Sequence, residues 1–213
     1  MTPLVETDAL GLDHGSTQVL AGITWSIAPG SQTVVTGRSG SGKSTLLLLL
    51  AGLINPTRGL VRWPGLSVDP HIRRGQIGMV FQAPSLMPEL TALQNVTLPL
   101  RLRGISAENA RTAATTALEA VASADLAEAR PQQLSGGQQQ RIAVARVLAG
   151  RHALVLADEP TGSLDRAHAH QVVQTLRDAV SAAGGALVLA THDNEIAATF
   201  GETINMGLST VRE

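Results

Sequence analysis

The sequence predicts an α/β fold, a mainly parallel sheet with crossover helices and one helical lobe. Three observations carry this. Two apolar runs of strand length, at 153–157 and 186–190, flank a helix-periodic stretch at 165–183. That alternation builds parallel sheets whose strands are buried on both faces. A third apolar run, at 33–36, leads through a glycine-rich loop into a helix-like run at 45–53. Residues 83–148 hold no comparable strand and are expected to form a helical lobe.

The remaining elements follow in chain order. Residues 4–32 read as short strands with turns: 23–27 alternates and 28–31 is a turn. Asn55-Pro56-Thr57-Arg58-Gly59 stops the helix behind the glycine-rich loop, and 60–63 reads as another strand. Residues 77–81 read as a buried strand ending at Gln82. Residues 83–104 contain Pro84, Pro88 and Pro99 and read as loop with a short helix. Residues 106–127 are alanine-rich and helix-periodic. Ala110, Ala113, Ala117, Leu118 and Val121 share one side, and Ser106 is the N-cap. Ser135 begins a second helix carrying Ile142, Val144, Ala145, Val147 and Leu148. The chain is read as one domain, 1–213, with 1–82 and 149–213 as its core and 83–148 as the lobe.

Composition narrows the function. A hydrophobic content of 44% over 213 residues is ample for a packed core. The net charge of −1, from 16 basic and 17 acidic residues, argues against a nucleic-acid footprint. There is no cysteine, hence no disulfide framework or cysteine metal site. The N-terminus lacks the basic region and apolar core of a signal peptide. The longest apolar run, 46–54, is about half of the roughly 20 residues that a membrane span needs. Any work at a membrane is therefore expected to go through a partner.

Two carboxylates and a loop carry the chemistry. Gly37-Arg38-Ser39-Gly40-Ser41-Gly42-Lys43-Ser44 fits G-x-x-x-x-G-K-[ST], with Thr45 following in the helix. Glycines let the backbone curl its N–H groups around an anion, and the helix N-terminus adds partial positive charge. Lys43 supplies a point charge for the β- and γ-phosphates, and Ser44 a hydroxyl for Mg²⁺. This is the core of a P-loop NTPase. Asp158 and Glu159 end the strand at 153–157. An acidic residue there holds Mg²⁺ in P-loop enzymes, which suits Asp158. Ser135, Gly136, Gly137 and Gln138 lie at a helix start, a second anion site that one subunit does not need. His168 and His170 are two apart on a helix, do not face each other, and read as solvated.

Leu134-Ser135-Gly136-Gly137-Gln138 resembles the signature of the ATP-binding cassette (ABC) ATPases. The run 80–88 resembles that family's glutamine loop, and Ser163-Leu164-Asp165 its interface loop. With the phosphate loop, the acidic pair and His192, all six elements occur in the family's order, so the resemblance covers nearly the whole chain. It implies a P-loop NTPase core with an N-terminal antiparallel β subdomain and the inserted α-helical lobe. It implies ATP and Mg²⁺ as cofactors. It also implies roles for three side chains: Glu159 to polarise the attacking water, His192 to bond the γ-phosphate, and Gln82 to touch Mg²⁺ or the water. The signature of one copy closes over the ATP held by a second copy, in a head-to-tail dimer.

The chain departs from the family in three places. The aromatic residue that stacks on adenine is missing; by position, His14 takes its place. The segment 65–75 is short, so the small β subdomain is expected to be trimmed. The chain stops soon after Met206-Gly207, so no regulatory domain is expected.

Ala157-Asp158-Glu159-Pro160-Thr161-Gly162-Ser163-Leu164-Asp165 is similar to one branch of the family. That branch contains macrolide exporters, lipoprotein-releasing complexes, haem and peptide-antibiotic exporters, and a cell-division ATPase. The resemblance implies an ATPase subunit at the cytoplasmic face of the cell membrane, powering export of an amphipathic molecule through a separate permease. The permease is expected to dock near 83–104. There Leu86, Met87, Leu90, Leu93, Leu98, Leu100 and Leu102 crowd a proline-broken stretch that cannot bury them all. A non-transport regulator of a membrane partner is the alternative. A DNA-repair or translation ATPase would need coiled coils or tandem cassettes and a basic surface, which are absent.

Overall fold

The computed structural model describes residues 1–206; Gly207 and the rest of the expected 1–213 domain lie outside the described residues. Two sheets organise the chain. β1 (Val5–His14) and β2 (Thr17–Ile27) form an antiparallel hairpin, which β4 (Arg58–Arg62) extends in the order β2-β1-β4. β3 (Gln32–Thr36) leads through the glycine-rich loop to α1 (Lys43–Leu50). α2 (Pro70–Gln76), begun by Asp69 as N-cap and Pro70, leads into β5 (Ile77–Val80). The lobe holds α3 (Ala92–Leu102), α4 (Ala107–Ala120) and α5 (Gly136–Leu148). β6 (Leu154–Asp158), α6 (Arg166–Ala182), β7 (Ala186–Thr191), α7 (Asn194–Ala197) and β8 (Glu202–Asn205) follow.

The main sheet is parallel throughout, in the order β5-β6-β7-β3-β8. Its strands alternate between two apolar layers. Leu154, Leu156 and Val188 face α1 with Val35, Leu46 and Leu50. Val155, Ala157, Leu187 and Leu189 face the other way, with Val144, Val173 and Leu176. Burial on both faces is why these strands read as unbroken apolar runs. The register matters for function. Thr36 sits opposite Thr191, and Asp158 opposite Ala190, so the carboxyl ends of β3, β6 and β7 form one edge. Ligands of open α/β sheets bind at that edge.

The structure corrects several expectations. Residues 4–32 hold two long strands of 10 and 11 residues, whose alternation is broken by register shifts near Ala9 (φ 45) and Gly22 (φ 55). In α4, Ala114 is fully buried where Ala113 was expected. α3 is an 11-residue helix despite Pro99. The Thr91 hydroxyl accepts from the Gln94 N–H, and the Gln94 side chain accepts from the Thr91 N–H, a capping box. Buried Asn95 then ties the preceding loop down through the Met87, Leu90 and Thr91 carbonyls. This helix buries Leu93, Val96 and Leu100. Leu86 packs partly against the same core, and Leu90 and Leu98 are half-buried. The apolar surface expected across seven residues thus reduces to Met87, 48% exposed, and Leu102, 79% exposed.

Candidate nucleotide site

At the sheet's carboxyl edge lies a cleft of about 930 Å³. Its floor is the loop Gly37, Arg38, Ser39, Gly40, Ser41, Gly42, Lys43, Ser44 and Thr45; Gln82, Glu159 and His192 complete it. Gly42 is the N-cap of α1 at φ 90, and no side chain caps the helix there. A Cβ at Gly42 would stand 2.7 Å from the Val19 carbonyl. The helix therefore opens with backbone N–H groups available to an anion.

The start of α1 and the ends of β6 and β7 aim side chains into the cleft. Lys43 Nζ, almost fully buried, donates to the Gly37 carbonyl at 2.8 Å and the Arg38 carbonyl at 3.3 Å. It lies 3.7 Å from Glu159 Oε1. Glu159 follows β6 with a left-handed backbone, φ 44, anchored by its N–H to the Ala190 carbonyl at 2.9 Å. His192 Nδ1 donates to Glu159 Oε1 at 2.9 Å, and Thr191 Oγ1 donates to Oε2 at 3.2 Å. The Thr191 hydroxyl also accepts from the Asp193 N–H at 3.0 Å. The Glu159 carboxylate is thus held in one orientation, with a lysine and a histidine at one oxygen and a hydroxyl at the other.

Asp158 is buried behind the loop. Burial raises its pKa, a hydrogen bond with Ser44 lowers it, Glu159 raises it and Lys43 lowers it. Its Oδ1 has no protein partner. A buried carboxylate with an orphaned oxygen beside a hydroxyl suits a hard cation with oxygen ligands. Among the described residues no cluster of three or more His, Asp or Glu side chains could hold a metal. One carboxylate plus hydroxyl and amide fits Mg²⁺, which keeps several waters and leans on substrate phosphates.

The structure separates two groups from this cleft. His14 is exposed at the tip of the β1–β2 hairpin and does not line it; Val19 does. Ser135, Gly136, Gly137 and Gln138 line a different, shallow cavity with Ser163, Leu164, Asp165 and His168. Ser135 caps α5 reciprocally with Gln138. His168 and His170 are not simply solvated. Asp165 accepts from the His168 N–H and from its Nδ1, which pulls the Asp165 pKa down. His170 lies 3.8 Å from Glu195, which pairs with Arg166. Sequence reasoning missed Val19, Thr36, Asn194 and Asn205 in the cleft, and Thr191 behind Glu159. The only signal for the threonines was their place at strand ends beside the motifs.

Residues 20–162 match the family model described as "ABC transporter". The chain belongs to the ABC transporter family. The cassette is 43% identical over 196 residues to an uncharacterized ABC transporter ATP-binding protein of Mycobacterium tuberculosis, spanning 89% of this chain and 79% of the relative. It is 40% identical over 215 residues to the lipoprotein-releasing system ATP-binding protein LolD of Bordetella pertussis, spanning 96% and 93%. The lipoprotein-release branch is one of those that the sequence resembles. Two solved structures of the cassette MJ0796 share the fold. Its dimeric structure has a TM-score of 0.86 and 36% identity. Its dimeric post-hydrolysis state, bound to ADP and Pi, has 0.85 and 34%. Each covers 94% of this chain and 93% of that one. The cassette is an ATPase subunit of a transporter, and ATP is its nucleotide. Among the described residues no helix is long and apolar enough to cross a membrane.

Proposed function

We propose that this cassette powers export of an amphipathic molecule, such as haem, a hydrophobic drug or a peptide, through a separate permease at the cytoplasmic face of the membrane. The observation that carries the hydrolytic part is the convergence of Lys43, Glu159, His192 and Gln82 on one cleft, with Asp158 and Ser44 behind it. ATP draws Lys43 from the Gly37 and Arg38 carbonyls onto its β- and γ-phosphates. That move takes the positive charge off Glu159, whose Oε1 then accepts the proton of the attacking water. Thr191 holds the other carboxylate oxygen, and His192 turns toward the γ-phosphate. Ser44, Asp158 and Gln82 would hold Mg²⁺, which supplies positive charge against the phosphate oxygens when bound.

The signature Ser135–Gln138 lines a cavity of its own, which supports a head-to-tail pair: it reaches the ATP of a second copy. We take the chain as one domain, with 83–148 as the moving lobe and the permease docking near 83–104 at Met87 and Leu102. The test is purification in detergent from membranes, then reconstitution into vesicles. An exporter brings down an integral membrane protein that stimulates its ATPase and moves an amphipathic cargo. A regulator gives the stimulation without transport. Isolation with no membrane partner would overturn both.

A further inference from the structure

Helix α5 starts at the signature and reaches back into the segment around Gln82. Gln140 Nε2 donates to the Phe81 carbonyl at 3.3 Å. Arg146 donates from Nη1 to the Ser85 carbonyl at 2.9 Å and from Nη2 to the Pro84 carbonyl at 3.1 Å. Both flanks of Gln82 are thus tied to α5. The sheet lets go just before, since β5 ends at Val80.

Both anchors are polar side chains spent on the backbone of this one segment. Gln140 is 1% exposed, and its Oε1 has no protein partner. Leucine there would remove the unpartnered Oε1 but would also take the donor from the Phe81 carbonyl, so what glutamine adds over an apolar side chain is the tie to residue 81. The Arg146 guanidinium is half-buried against two carbonyls, and that burial lowers its pKa. Ser85 is held at φ 49, a left-handed conformation that serine rarely adopts. Strain of this kind persists where surrounding contacts impose it. α5 is also fastened to its own lobe. Arg141 donates to the Ala122 carbonyl at 2.9 Å, and Gln139 to the Pro131 carbonyl at 3.0 Å.

We propose that Gln140 and Arg146 are positioning residues for ATP hydrolysis: they clamp the 81–85 backbone to α5, so the place of Gln82 in the cleft follows the signature helix rather than β5. The role of Gln82 itself rests on the proposed function above.

The test combines a double-mutant cycle with a distance measurement. Gln140→Leu and Arg146→Met should bind a fluorescent ATP analogue within about twofold of wild type, while kcat falls about 10- to 100-fold, the scale of a misplaced catalytic group. In a Gln82→Ala background neither change should lower kcat further, because residues acting through one group are not additive. The chain lacks cysteine, so Ala83→Cys and Thr115→Cys, at exposed positions in the clamped segment and on α4, can carry spin labels. The wild-type distance should be narrow and should broaden in Gln140→Leu/Arg146→Met. Unchanged kcat with an unchanged distance distribution would overturn the clamp. So would additive losses in the Gln82→Ala background, which mark the two residues as merely structural. If Gln82→Ala alone leaves kcat intact, the Gln82 assignment fails, and the distance still decides the clamp. Should Arg146→Met not fold, Arg146→Lys, which keeps the charge and loses the fork, takes its place.

Discussion

Lowering the pH should destabilise this cassette through His152. The residue precedes β6 and is half-buried, its ring packed against Gly78 and Gly150. Its Nδ1 donates to the Gly75 carbonyl at 3.1 Å. Burial, with Arg103 nearby, pulls its pKa from an ordinary 6.5 down to about 4. The folded value is depressed, so between the two the unfolded chain binds the proton and the folded chain does not. Stability therefore falls as the pH drops through 6.5, and the loss is complete near 4. Each pH unit between the two is about 1.4 kcal/mol, so the whole loss is about 3 kcal/mol. About 2 kcal/mol of it falls between roughly pH 7.5 and roughly pH 5. Urea unfolding at those two pH values, followed by circular dichroism, measures it. His152→Asn keeps an N–H for the Gly75 carbonyl and removes the titration. Its stability should drop less than that of wild type, by about 2 kcal/mol, over the same interval. Equal pH dependence in the two proteins would refute the reasoning.

Lys43→Ala should weaken ATP binding by about 1.5–3 kcal/mol, the value of a charge-assisted contact, or abolish turnover. Unchanged affinity and turnover in a fluorescent-nucleotide titration and a phosphate-release assay would count against the site. Met87→Asp with Leu102→Asp should leave basal ATPase intact and remove stimulation by the membrane partner; persistent stimulation places the docking surface elsewhere. Leu100→Ala, by contrast, opens the lobe core and should cost about 2–5 kcal/mol of unfolding free energy. A loss below about 1 kcal/mol in urea titration would contradict its burial.

The parts of the site that the sequence revealed are those whose chemistry is local. The phosphate loop, the acidic pair after β6 and the signature at the start of α5 each need a fixed spacing along one stretch of chain. β6 and β7 were legible because both faces are buried, leaving continuous apolar runs. β1 and β2 were harder, since shifts near Ala9 and Gly22 break the two-residue period. α3 was obscured by Pro99 inside it and by Pro84 and Pro88 just before it. Yet Thr91 and Gln94 at capping-box spacing, and Leu93, Val96 and Leu100 on one helical face, were visible in the sequence. Val19, Thr36, Thr191, Asn194 and Asn205 had no local mark of this kind. Strand pairing and loop packing bring Val19, Thr36, Asn194 and Asn205 to the cleft and Thr191 behind Glu159, and neither is written in neighbouring residues. His14 was assigned by position alone, and the exposed hairpin tip keeps it out of the lining.

The account stands or falls on Glu159 as the base within an ATP-bound pair of cassettes. The decisive measurement is made on purified Glu159→Gln: ATP turnover, and molecular mass in solution with and without ATP. The amide keeps the shape that His192 and Thr191 surround but cannot accept the water's proton. Turnover should fall about 10²–10⁴-fold, and the protein should run as a dimer that retains ATP. Turnover within about threefold of wild type, or a protein that stays monomeric with ATP bound, would contradict it.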